Sequence, residues 1–278
     1  MMKQCIENPN EVKWDEFWEN RLKEKKDLKK DWDKAAAIFH KKAKKDDYLD
    51  LLFSKLILNK NDSVLDLGCG EGSLTLPLAL KVKKVTAVDS SVKMLELLNE
   101  RAEKQGIDNV ETVLKPLEEI TYEEVGPHDV VLASRSLNGI MPIKKTLEEI
   151  NKIACKYVFI TVFGPENWKI EREFYEYIGR ENKHFPGHDY LFNILFNMEI
   201  YANVERLDIK AYREYNTIEE AMDNGKFRLD FLNDGEKDKL KEYLSEILSE
   251  DSKTGKLYSE NDRADWILIW WKKQEKLK

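Results

Sequence analysis

The sequence is sparing with cysteine, proline and glycine, has no surplus of basic charge and contains no long apolar run. Three cysteines in 278 residues, Cys5, Cys69 and Cys155, are odd in number and widely spaced. That argues against a disulfide framework and for reduced thiols in a cytoplasmic protein. No CxxC pair or Cys/His cluster points to zinc, so no metal is expected. Lys+Arg total 46 against 53 Asp+Glu, a formal net charge of −7. The chain therefore lacks the broad basic footprint with which nucleic-acid-binding proteins release counterions. The apolar stretches Tyr157–Phe163 and Trp266–Trp271 are strand-sized and too short to span a bilayer. Lys3, Glu7 and Glu11 stand where a signal peptide would carry its apolar core, so none is expected. At this length one large domain, or one domain with an added lobe, buries enough surface to fold without staples.

What is present divides the chain in two. Residues 1–58 stand apart: from residue 11 onward they are dense in charge, yet apolar residues recur at helical spacing. Trp14 and Trp18 are four apart, Trp32, Ala36, Phe39 and Ala43 form a second stripe, and Leu49, Leu52, Phe53 and Leu56 form a third. This reads as an N-terminal helical extension joined without a linker to a main domain over 59–278. From Ser63 short β-rich runs alternate with helical patterns. Strands are expected at Val64–Leu67, Val85–Val88, Val110–Leu114, Asp129–Ala133 and Tyr157–Phe163, with helices near Gly72–Lys81, Ser91–Gln105 and Ile143–Cys155. Pro77 inside the first of these predicts a kink or a late start. Near-continuous apolar strands alternating with helices indicate a parallel sheet covered on both faces. After Gly164-Pro165 the pattern predicts helices near Glu166–Gly179 and Tyr190–Tyr201, a long strand at Asn203–Tyr215, two further helices, and a last strand at Ala264–Lys272.

The chemistry-bearing segment is Val64-Leu-Asp-Leu-Gly-Cys-Gly-Glu-Gly-Ser-Leu74. A strand runs into glycines 68, 70 and 72, which permit a tight turn and close ligand approach, and then into a helix start with free N–H groups. About twenty residues on, the second strand ends in Asp89, placed to accept both hydroxyls of a ribose. A GxxxxGK[ST] phosphate loop is absent. The GxGxG spacing also departs from the dinucleotide fingerprint, and Asp66 before it disfavours a pyrophosphate while suiting an amine or sulfonium. This combination resembles the class I S-adenosylmethionine-dependent methyltransferases over about residues 60–165.

The resemblance implies an α/β, Rossmann-like fold: a seven-stranded, mostly parallel sheet with the last strand antiparallel, helices on both faces, and here a helical insertion after strand five. It implies that 59–165 hold S-adenosylmethionine and that 166–278 form the substrate side. Carried over, Asp66, Gly68, Gly70 and Gly72 line the methionine end, Asp89 holds the ribose, and Ser90 and Met94 lie by the adenosine. Where many members present an acid to the adenine amine, this chain has Pro116; Leu117 can offer a backbone N–H and Glu118 an acceptor. Ser134, Arg135 and Ser136 fall near the transferred methyl.

No catalytic residue is assigned from sequence. His40, His184 and His188 are candidate bases, and Arg135 is either a partner for an anionic acceptor or a surface ion pair. Phe39 and His40 read equally as pocket lining or as packing of the leader onto the sheet. His128, at the other end of strand four, reads as structural. The [N/D]PP[Y/F] element of many base-amine methyltransferases is missing after strand four, where the chain reads Ala133-Ser-Arg-Ser-Leu-Asn138. The function expected is methyl transfer to a small-molecule acceptor. The alternatives are a methyltransferase acting on RNA or protein, and a non-catalytic cofactor-binding subunit.

Overall fold

The computed structural model describes residues 12–24, 33, 47–181, 185–223, 227 and 229–273. Its strands are β1 (Ser63–Leu67), β2 (Lys84–Asp89), β3 (Val110–Leu114), β4 (His128–Ser134), β5 (Ala154–Phe163), β6 (Asn203–Leu207), β7 (Tyr212–Tyr215), β8 (Ser249–Glu250), β9 (Leu257–Arg263) and β10 (Trp266–Lys272). Seven of them form the main sheet in the order β3-β2-β1-β4-β5-β10-β6. Strands β1 to β5 pair in parallel, whereas β10 runs antiparallel between β5 and β6. The expected sheet and its reversed last strand are therefore both present.

The helices are α1 (Trp14–Lys23), α2 (Tyr48–Lys55), α3 (Thr75–Ala79), α4 (Val92–Lys104), α5 (Tyr122–Val125), α6 (Ile143–Ile153), α7 (Lys169–Tyr177), α8 (His188–Asn197), α9 (Ile218–Met222) and α10 (Asp234–Ile247). Period-two alternation sorts the strand residues between two cores. Leu65, Leu67, Val131, Ala133, Val158, Ile160, Ile267 and Ile269 face one core, joined by Trp18 of α1 and by α6 and α8. Val64, Val130, Leu132, Phe159 and Leu268 face the other, with Tyr48 and Leu52 of α2 and Leu78 of α3. Trp18 is fully buried and its Nε1 donates to the Ile140 carbonyl at 2.7 Å, while Trp14 meets Tyr190 edge-on. The leader's first helix is thus core packing. Its second stripe, Trp32 to Ala43, lies outside the described residues apart from Asp33.

Local chemistry accounts for several boundaries. Helix α3 starts late, at Thr75, which puts Pro77 in the first turn where its missing N–H leaves no bond unmade. Ser91 caps α4 by accepting from the Met94 N–H, and Asn233 with Glu236 forms a capping box on α10.

One expectation fails. The run Asn203–Tyr215 is two strands, not one. The chain turns at Ile209, whose N–H donates to the Leu207 carbonyl, and Asp47 takes the Lys210 N–H at 2.9 Å. Strand β7 then joins a separate three-stranded sheet, β7-β9-β8, whose strands β8 and β9 the sequence reading did not contain. With α7, α9 and α10 this sheet surrounds a third core of Phe174, Tyr215, Phe227, Leu240 and Leu244.

Candidate active site

The carboxyl ends of β1 and β2 converge on the glycine loop. Gly68 has φ +74°, and its N–H and that of Cys69 both donate to the Val88 carbonyl, at 2.8 and 3.0 Å. A Cβ at Gly68 would stand 2.4 Å from Ser136 Cβ, and one at Gly72 2.9 Å from Leu98 Cγ. Those two glycines let the loop pack against β4's following turn and against α4. Gly70 differs: its φ is +55°, yet nothing lies within 4 Å of an added Cβ. It is the glycine that faces open space, as a bound ligand requires.

Asp89 is held ready by the same loop. Its Oδ2 accepts from the Gly70 N–H and its Oδ1 from the Ser91 N–H, each at 2.9 Å. Two fixed donors orient the carboxylate and leave lone pairs for a diol. Asp66 is 1% exposed and accepts from Thr75 Oγ1 at 2.7 Å. Burial pushes its carboxyl up to about 6, the Asp89 charge adds to the rise, and the Thr75 hydroxyl opposes it. A buried anion of this kind suits a cationic group. Cys69 in the loop is 7% exposed, and burial pushes its thiol up, so it is inert.

Other sequence candidates fall around this centre. Leu117 Cδ1 would lie 3.5 Å from a Cβ at Gly68, so the residue after β3 does close over the loop. Met94 is buried, while Ser90 and Glu118 are exposed. Ser134 ends β4 on the same sheet face as Asp66. His188 opens α8, partly buried, beside Gly187, whose added Cβ would meet the Phe163 carbonyl at 2.9 Å. His40 and His184 lie outside the described residues. His128 is buried at the start of β4, bonded to Thr86 Oγ1 at 2.9 Å, with burial lowering its pKa. It belongs to the sheet's other end.

Several residues of the site were not singled out from sequence. Tyr48, fully buried at the start of α2, places its hydroxyl 2.7 Å from Ser134 Oγ and 2.6 Å from Thr161 Oγ1. Thr161 Oγ1 also accepts from the Arg135 N–H at 2.9 Å. The signal for Thr161 was a hydroxyl inside the otherwise apolar run Tyr157–Phe163. Beyond β5 the aromatic rings continue: Phe163 stacks on Trp266 at 4.8 Å and meets Trp168 edge-on at 5.0 Å, and Trp168 stacks on Phe185 at 5.8 Å. Two cavities lie off this centre. One of about 270 Å³ borders His128 and Lys84, and one of about 380 Å³ lies beyond β6 beside Arg206 and Asp265. Neither touches the glycine loop, and the convergence of Asp66, Gly70, Asp89 and Ser134 is the better guide to chemistry.

Comparison with known proteins agrees. A family model described as a methyltransferase domain matches residues 58–222, more than half of the chain. An uncharacterized Haemophilus influenzae protein is 29% identical over 86% of this chain and 88% of its own. Pavine N-methyltransferase of Thalictrum flavum subsp. glaucum is 37% identical over 44% of this chain and 38% of its own length. A 23S rRNA (uracil(1939)-C(5))-methyltransferase of Aliivibrio fischeri is 44% identical over 26% of this chain and 16% of its own. The matched domain model, the sheet order with its reversed strand and the cradle formed by Gly70 and Asp89 lead to one conclusion: the chain belongs to the class I S-adenosylmethionine-dependent methyltransferases and takes S-adenosylmethionine as its cofactor.

Proposed function

We propose that the protein transfers the methyl group to a small-molecule acceptor. The observation that carries this reading is the aromatic rim of Tyr48, Phe163 and Trp266, on the sheet face and at the strand ends that also hold Asp66 and Ser134, with Trp168 edge-on to Phe163 beyond them. Small-molecule sites are mostly apolar and concave with a few polar anchors. The similarity to pavine N-methyltransferase supports the same reading. A macromolecular acceptor is the second reading, favoured by the shorter stretch shared with an rRNA methyltransferase. The net charge of −7 speaks against it.

In this reading Asp89 holds the ribose, and Asp66 with the glycine loop holds the methionine end. The cofactor supplies a methyl group already carried on a good leaving group. The protein's task is alignment, which contributes about 7–11 kcal/mol in well-oriented systems. Ser134 and Ser136 border the reacting space, and the aromatic rim excludes water from it. A thiolate or free amine acceptor needs no base; a hydroxyl acceptor does, and His188, His40 and His184 are the candidates. The N-terminal extension covers the site through its described residues Asp33 and Tyr48. Two contacts support that role: Ser91 Oγ, at the head of α4, donates to Asp33 Oδ1 at 2.5 Å, and Tyr48 reaches Ser134. The free Cys69 and Cys155 fit a reducing, cytoplasmic setting.

The test pairs binding with labelling. Calorimetry with S-adenosylhomocysteine should show Asp89→Ala weakening binding by at least about a hundredfold, from the loss of two charge-assisted bonds. Wild-type affinity in that variant would refute the site. Methyl-tritiated cofactor incubated with fractionated cell extract should label the low-molecular-weight fraction. Label confined to RNA or protein would refute the small-molecule reading.

A further inference from the structure

The turn after β4 ties the cofactor loop to the end of β5. Ser136 Oγ donates to the Leu67 carbonyl at 2.6 Å, and its Cβ is the atom that an added carbon on Gly68 would meet. Asn138, the next residue but one, accepts from the Phe163 N–H through its Oδ1 at 3.0 Å. So short a stretch of chain reaches at most about 7 Å. Asn138 therefore stands between the glycine loop and the aromatic rim, where an acceptor would have to lie. Its side chain is only 8% exposed. A backbone N–H must meet oxygen, so the bond to Phe163 settles which end of the carboxamide is which and leaves the Nδ2 amino group turned away from that bond. The amino group carries two donors and has no partner among the described residues. Nor is it sealed from solvent, unlike the indole N–H of Trp168, edge-on to the Phe163 ring, which is buried and equally without a partner. The corner around Phe163 thus has donors to spare. Unused donors on a nearly buried side chain need a reason, and the fold supplies none, because the half of the amide that serves it is the oxygen.

We propose that Asn138 is a specificity-determining residue whose amino group donates to a carbonyl oxygen on the methyl acceptor, so that the substrate class is a small amide, ester or ketone. This rests on the small-molecule reading above. The amino group can only donate, so the ligand must bring the acceptor. It is also uncharged and nearly buried, which suits an uncharged partner; an ion placed there would lose more hydration than a neutral donor returns. A carbonyl oxygen offers its lone pairs and brings no proton that needs a partner of its own, as a hydroxyl would. The carboxamide is fixed through its oxygen before substrate arrives, which reduces the ordering cost of binding. An analogue without the oxygen leaves the amino group covered and unpaired, and is rejected for that reason.

The experiment uses the whole protein, methyl-tritiated cofactor and the low-molecular-weight fraction of a cell extract. Asn138→Asp keeps an oxygen for the Phe163 N–H and removes the amino donors. With the fraction limiting, it should lower labelling by about ten- to a hundredfold. The loss should lie in the amount of fraction needed for half-maximal rate, with binding of S-adenosylhomocysteine at the wild-type level. The labelled product, purified by following its tritium, should show an amide, ester or ketone carbon in its carbon-13 spectrum. Wild-type labelling by Asn138→Asp overturns the proposal, because only the oxygen would then matter. Loss of labelling together with cofactor binding overturns it as well, since that marks a structural residue. A small-molecule product without such a carbon also overturns it, while the small-molecule reading stands. Label absent from every small-molecule fraction refutes the underlying reading instead.

Discussion

Asp66 shows how one buried carboxylate joins stability to function. Its folded pKa is about 6 against an ordinary 3.8, and burial is the main cause. Between those values the folded protein keeps a proton that the unfolded chain has released. Stability from this group therefore falls as pH rises through the window, and above it the charge costs about 3 kcal/mol. A bound ammonium offsets that cost. Cofactor affinity should then be level above about pH 7 and decline by up to about tenfold per unit below about pH 6. Asp66→Asn should raise the Tm of the unliganded protein at about pH 8, weaken cofactor binding and abolish the inflection. Calorimetry across this range, with thermal melts of both proteins, checks all three. A flat affinity from about pH 5 to 8 in the wild type would remove Asp66 from the ammonium site.

At the scale of elements, α2 matters for where its first residue reaches. Tyr48 carries its hydroxyl to two strands at once and supports Arg135 with its ring. Tyr48→Phe keeps the ring and leaves the Ser134 and Thr161 hydroxyls short of a buried partner. The expected loss is about 1–3 kcal/mol of unfolding free energy in urea; unchanged stability would show that these hydroxyls satisfy each other. This bears on how far the site was legible. The sequence states the glycine loop, Asp66 and Asp89 locally, because a turn and two strand ends need residue types fixed by nearby geometry. Tyr48 and Thr161 are 113 positions apart, so nothing in either local pattern announces their bond. The same limit explains Asn203–Tyr215: its alternation is genuine, but the break at Ile209 depends on Asp47, and the pairing of Tyr215 depends on Leu257. A helix boundary set by a cap, such as Ser91, is local and was recoverable to within a few residues.

Across the whole molecule, the third core is tied to the main sheet by a polar joint at the β9–β10 turn. Asp265 is 3% exposed; its carboxylate accepts from Arg206 Nε and the Glu166 N–H, both at 2.8 Å, and its carbonyl accepts from the Gly164 N–H. A Cβ on Gly164 would lie 2.3 Å from that carboxylate, so glycine is required at the exit of β5. On the lobe side Asp262, also 3% exposed, takes Arg213 at 2.7 Å and the Tyr215 hydroxyl at 2.5 Å, and Arg213 reaches Asn167 at 3.0 Å. Asp262→Ala leaves a half-buried guanidinium that still has Asn167 and the Arg263 carbonyl. The cost should therefore sit at or below the low end for a broken buried pair, about 2–3 kcal/mol. Because Asp262 belongs to the lobe and not to the glycine loop, S-adenosylhomocysteine affinity should be unchanged at temperatures where the variant is folded. Urea unfolding and calorimetry on the same preparation separate these effects. A parallel loss of cofactor affinity would mean that the joint transmits to the cofactor half and that the two cores act as one.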